Sequence, residues 1–322
     1  MSILLTLILI VALIVAGLVL FAANTARKVE AAVPPCGQFI DIDGQRLHYV
    51  DTGGTGPAIV MIHGLGGTLW NYTYALVDKL SGEFRVIAVD RPGSGYSARP
   101  DGAPAKLSAQ ANTLAKFTRA LGLKQPLLVG HSLGGALSLA IALDHPDCAG
   151  ALALIAPLTQ AQDDVPEPFQ GLDINSPVLR KIIAWTLAIP LSIRNAPALL
   201  KIVFGPDAVP ADFPTRGAGL LSLRPKSFYN TSSDLVAVNE ELPGMVKRYR
   251  GLTIPLGMLF AKGDLILDYR RQGEAMKQQC PALDLVLMDE HGHMLPVTAP
   301  ESTASLIRSV AARQLAPRVA GA

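Results

Sequence analysis

The chain has 322 residues, half of them hydrophobic and 17% charged, a composition that excludes an intrinsically disordered protein. Its 28 Lys and Arg against 26 Asp and Glu leave a formal charge of +2, too small to indicate nucleic acid as a partner. Cys36, Cys148 and Cys280 stand far apart without a Cys-x-x-Cys pair, which points to neither a thiolate zinc site nor a disulfide scaffold and suits a reducing compartment.

The first element is apolar throughout. Ile3 to Ala23 are 21 residues without a charge. As a helix they reach ~31 Å, about the ~30 Å of bilayer hydrocarbon. A secretory signal has a shorter apolar stretch of roughly 7–15 residues behind a basic one, and a soluble surface helix has a polar stripe. Residues 1–24 are therefore expected to form a transmembrane anchor, and 25–36, ending in Pro34-Pro35, a linker. Arg27 and Lys28 follow the span and no side-chain cation precedes it, which favours a cytoplasmic body.

Phe39 to Asp43 and Gln45 to Val50 are strand-like runs flanking Asp43-Gly44, a dipeptide suited to a tight hairpin turn. Short apolar runs then alternate with helical stretches: Ala58 to Ile62, Phe84 to Val89, Pro126 to Val129, Ala151 to Ile155, Pro255 to Phe260 and Leu283 to Leu287. Near-continuous apolar runs of this kind are the pattern of buried parallel strands, so a doubly wound, mostly parallel α/β sheet is expected. Between residues 157 and 251 the alternation stops. Ser176-Pro177 is a helix start, and Leu179, Ile182, Ile183, Trp185, Leu187 and Ile189 follow it. This block is expected to be a helical cap inserted into a core of residues 37–156 and 252–316.

The motif with the most chemistry is Gly130-His-Ser-Leu-Gly134, between the Pro126 strand and the helical Ala136 to Leu143. A serine in a tight strand-to-helix turn adopts a strained backbone and needs small residues two positions either side. The turn also places its hydroxyl at a helix N-terminus, where N–H groups face a developing anion. Around it lie His63-Gly-Leu-Gly-Gly67, Asp90-Arg-Pro-Gly-Ser-Gly-Tyr-Ser97, Ala261-Lys-Gly-Asp264 and Gly292-His293-Met-Leu-Pro296.

With these five motifs in this order, the chain from about residue 37 to 315 resembles the α/β-hydrolase superfamily, in its lidded branch of esterases, lipases, haloperoxidase-like enzymes and carbon–carbon bond hydrolases. The resemblance implies Ser132 as nucleophile, His293 as general base and Asp264 as the acid orienting it. It implies an oxyanion hole from the backbone N–H groups of Leu65 and Leu133, with Gly64, Gly130 and Gly134 as the permissive elbow and loop residues. Ala261 stands where the family usually has Gly. Asp268, Asp163 and Asp164 are rivals to Asp264, and His291 to His293. His48, His63, His131 and His145 read as structural, and Asp90 as fixing its own turn with Arg91. No cofactor is expected, and no metal-ligand or nucleotide-binding motif is present.

A serine at the elbow makes hydrolysis of a carboxylic ester the expected reaction, on small to medium apolar substrates given the Leu, Ile and Trp of the cap. The alternatives are hydrolysis of a carbon–carbon bond in a diketone-like substrate and, from another class, a silent binding protein on the same fold.

Overall fold

The computed structural model describes residues 2–100, 102–165 and 167–316. Helix α1 (Ser2–Ala32) precedes strands β1 (Gln38–Ile42), β2 (Gln45–Asp51), β3 (Ala58–Ile62) and β4 (Arg85–Val89), with α2 (Trp70–Thr73) and α3 (Leu76–Leu80) between the last two. Helix α4 (Leu107–Ala120) leads to β5 (Leu127–His131), and α5 (Leu133–Asp144) leads to β6 (Ala151–Ile155). Four helices then intervene: α6 (Pro177–Trp185), α7 (Ala188–Phe204), α8 (Phe213–Arg216) and α9 (Pro225–Val246). The chain closes with β7 (Leu256–Ala261), α10 (Ala275–Gln279), β8 (Asp284–Met288), α11 (Leu295–Thr298) and α12 (Pro300–Leu315).

The eight strands form one sheet in the order β1-β2-β4-β3-β5-β6-β7-β8. β1–β2 and β2–β4 are antiparallel and the later pairs are parallel. The early hairpin turns at Asp43 and Gly44, both at positive φ (49° and 77°), as a two-residue turn matching strand twist requires. Strands β5, β6 and β7 are buried along their whole length, which explains their apolar runs: helices cover both faces. Among the described residues between β6 and β7 the regular structure is helical throughout.

One boundary differs from the sequence-based expectation. Residues 25–32, read as linker, continue α1. Nothing from Asn24 to Ala32 breaks a helix, and this part has a surface to pack on. Ala22, Val29 and Val33 are buried, Glu30 pairs with Arg224 at 3.2 Å, and the Tyr96 hydroxyl donates to the Val33 carbonyl at 2.6 Å.

Candidate active site

Ser132 caps α5 with φ 54° and ψ −121°, a region a non-glycine residue occupies only under constraint. The constraint is visible. Its N–H donates to the Ile155 carbonyl at 3.1 Å, and its carbonyl accepts from Gly135 N (2.9 Å) and Leu158 N (3.0 Å). The flanking glycines leave no alternative: a Cβ on Gly134 would strike the Ile62 carbonyl, and one on Gly130 would strike the Gly134 carbonyl and Ser138 Oγ. A Cβ on Gly64 would lie 2.9 Å from that of Ser132, so the His63–Gly67 loop passes directly over the serine.

Asp264 and His293 meet from loops after β7 and β8. His293 Nδ1 lies 2.7 Å from Asp264 Oδ2, with both side chains almost wholly buried. Asp264 Oδ1 accepts from the N–H groups of Ile266 (2.8 Å) and Leu267 (3.0 Å), which hold the carboxylate in place. A carboxylate only accepts, so Nδ1 carries a proton, and in the neutral ring the lone pair lies on Nε2.

Three of the rival residues are engaged elsewhere. Asp268 accepts from the N–H groups of Arg270 (2.7 Å) and Arg271 (2.9 Å) in its own turn, and Asp163 pairs with Arg271 at the surface. His291 Nδ1 bonds to Asp207 of the cap at 2.9 Å, and the second oxygen of Asp207 accepts from Gly292 N. A cavity of about 370 Å³ beside Asp264 is lined by Asp163, Asp164, Asp268 and Arg271 among others, and includes neither Ser132 nor His293.

Among the described residues Ser132 Oγ makes no hydrogen bond. Ser132 is linked to His293 through its neighbour His131, whose Nε2 donates to the His293 carbonyl at 2.9 Å and whose ring centroid is 4.8 Å from that of His293. Burial, then the charge of nearby His293, lower the pKa of His131 to about 3, so this ring is a neutral spacer and no competing base.

The Leu65 and Leu133 N–H groups form no hydrogen bond among the described residues, and sequence reasoning did not find what aims the first. Arg91, fully buried, donates Nε to the His63 carbonyl and Nη2 to the Gly64 carbonyl, both at 3.0 Å. In a trans peptide C=O and N–H point opposite ways, so holding the Gly64 carbonyl turns the Leu65 N–H away from Arg91. The guanidinium is held in turn by Gln110 (2.9 Å) and Asp234 of α9 (2.8 Å). No local signal marks Arg91, because Asp234 lies 143 residues away.

Asp90 does fix its own turn, through Tyr96 N, but without pairing to Arg91. Asp90 accepts instead from His48 Nδ1 (2.7 Å), Leu69 N (2.8 Å) and Tyr96 N (2.9 Å). The other nitrogen of His48 faces the Cys36 carbonyl, so both nitrogens have acceptors and the ring is an imidazolium. Burial opposes that charge, but the hydrogen bonds to Asp90 and Cys36 outweigh it and raise the pKa to about 9. His63 is the reverse case: burial and the Arg91 charge lower it to about 3, and its Nε2 accepts from Arg91 N at 3.0 Å. Among the described residues no group of three His, Cys, Asp or Glu is placed to hold a metal ion.

The sequence model described as alpha/beta hydrolase family matches residues 59–306. The acetyltransferase component of the acetoin cleaving system of Cupriavidus necator is 37% identical over 136 residues, 42% of this chain and 35% of that protein. A 2-hydroxy-6-oxononadienedioate/2-hydroxy-6-oxononatrienedioate hydrolase of Burkholderia vietnamiensis is 35% identical over 133 residues, 40% of this chain and 46% of that one. The chain thus spans under half the length of these curated relatives. The crystal structure of a membrane phospholipase A is similar at a TM-score of 0.69 and 24% identity, over 96% of this chain and 97% of that one, a likeness of fold.

Proposed function

The chain belongs to the alpha/beta hydrolase family, and on that premise we propose that it is a membrane-anchored serine hydrolase cleaving carboxylic esters of small to medium apolar substrates. Ser132 Oγ attacks the carbonyl carbon while its proton passes to His293 Nε2. The carbonyl oxygen becomes an oxyanion facing the Leu65 and Leu133 N–H groups. As the tetrahedral intermediate collapses, the alcohol leaves with the proton from His293, and the acyl group stays on Ser132. Water, deprotonated by His293, then attacks the acyl-enzyme and releases the acid. Asp264 holds the imidazole with Nδ1 protonated and stabilises the imidazolium.

The observation that carries this reading is the buried His293–Asp264 hydrogen bond, beside a serine strained in a strand-to-helix turn. The test is labelling by a fluorophosphonate. Adduct on Ser132, abolished in Ser132→Ala, together with turnover of short p-nitrophenyl esters supports the proposal. No labelling of the folded wild-type chain would favour a silent binding protein. A second reading, carbon–carbon bond hydrolysis, draws on the likeness to the Burkholderia vietnamiensis hydrolase; turnover of a vinylogous diketone without ester turnover would select it.

The anchor is residues 3–23 of α1, a charge-free stretch exposed from Ile3 to Gly17. The packing of Ala22, Val29 and Val33 against the body supports a helix retained in the mature protein. Arg27 and Lys28, which follow the span, support a cytoplasmic body by the positive-inside rule.

A further inference from the structure

Helix α6 is amphipathic in the wrong direction for water. Its outward stripe is Val178, Leu179, Ile182 and Trp185, exposed to 70%, 49%, 56% and 41%, and it continues through Leu187 and Leu191. Arg180 faces inward, 5% exposed. Its guanidinium donates to Ser232 Oγ (2.9 Å), Ser233 Oγ (2.8 Å) and the Ile174 carbonyl (2.5 Å). A surface helix of a soluble body buries its apolar face and shows its charge; here Arg180 is inside and the apolar stripe outside, with Lys181 alone of the helix's two cations exposed beside it. Contiguous exposed apolar surface of this kind marks an interaction site.

What covers the stripe follows from its neighbour. Helix α1 contacts α6, α7 and α9. The side of α1 that packs on the body begins at Leu18 and recurs at Ala22, Ala26, Val29 and Val33, a helical spacing of one face. The charge-free stretch ends at Ala23. Packing therefore starts six residues, or ~9 Å, inside the apolar stretch. That depth matches the ~5–10 Å to which amphipathic helices enter the boundary between headgroups and acyl chains.

We infer that the outward face of α6, with the start of α7, is seated in the phospholipid leaflet beside the point where α1 leaves it. The cap is then a second membrane contact, lying in the interface while α1 crosses it. The α6–α7 pair bends by 78°, so it does not run straight across with α1. The inference rests on reading α1 as a span. It adds that the outward face of the cap meets lipid.

Trp185 is a natural probe, because the other tryptophan, Trp70, is buried in the core. The full chain is reconstituted in phosphatidylcholine vesicles with bromine near the headgroup end of the acyl chains, and Trp185→Phe supplies the Trp70 background. Bromolipid should quench the Trp185 emission by at least about half, as expected of a ring at interfacial depth. Val178→Ser with Ile182→Ser should reduce the quenching and lower turnover of a medium-chain ester partitioned into the vesicles, with turnover of a short soluble ester unchanged. Flotation with the vesicles after a carbonate wash separates two failures. A chain that does not float overturns the anchor and this inference with it. A chain that floats with Trp185 unquenched overturns the cap contact alone, whether the stripe is then wet or covered by a second copy of the chain.

Discussion

Asp234 of the cap and Arg91 of the core form a buried ion pair at 2.8 Å, and the same guanidinium holds the carbonyls of His63 and Gly64. Asp234 also binds Arg99 at 2.5 Å, so one cap carboxylate is shared by two buried cations. The orientation of the loop above Ser132 therefore depends on a residue of the inserted helices, and the cap acts as a strut for the site as well as a cover.

Replacing Asp234 by alanine leaves Arg91 and Arg99 buried without their counter-charge. Breaking a buried pair from one side costs about 3–5 kcal/mol, so the denaturant midpoint should fall markedly. Turnover per folded molecule should fall as well, because the peptide carrying the Leu65 N–H loses its brace. Unchanged turnover with lowered stability would restrict the network to folding.

Ser132 reports strain and chemistry separately. Ser132→Ala should lower ester turnover at least ~10³-fold while the protein stays folded. Ser132→Gly should lower it equally but raise stability over Ser132→Ala by about 1 kcal/mol or more, because φ 54° is free to glycine alone. Parallel thermal melts of the two variants check this; equal melts would mean that the turn is relaxed.

The two histidines of the loop after β8 should separate cleanly. His293→Ala removes the group bonded to Asp264 and should cost at least ~10³-fold in kcat. His291→Ala removes a bond to Asp207 of the cap and should stay within about tenfold, a barrier change of roughly 1.4 kcal/mol. Steady-state kinetics decide, and the reverse ranking would assign the base to His291.

Stability should peak near neutral pH. His48, raised to about 9, holds its proton more tightly folded than unfolded. Its contribution is complete below the ordinary histidine value of 6.5 and is lost as pH rises through about 9. His63 and His131, lowered to about 3, stay neutral when folded, so their contribution is present above 6.5 and declines as pH falls toward 3. Unfolding midpoints from pH 5 to 9 should trace both limbs, and His48→Gln should flatten only the alkaline one.

The parts readable in the sequence are those encoded locally. Asp43-Gly44 needs only its own two positive φ values, the elbow only its strand, glycines and helix, and β5 to β7 only their apolar runs. What escapes is made by distant partners. Arg91 gains its role from a residue 143 positions away, and Asp207 meets His291 across 84. The helical course of residues 25–32 likewise depends on the surface that α1 meets, because that stretch has no strong stop or start of its own.

With α1 as a span, its unbroken course from Ser2 to Ala32 denies the body a swivel. A flexible tether would let the domain tumble above the bilayer and sample every heading; a rigid helix restricts it to rotation about the helix axis and the helix's own tilt. The body would then keep a narrow range of attitudes toward the lipid plane.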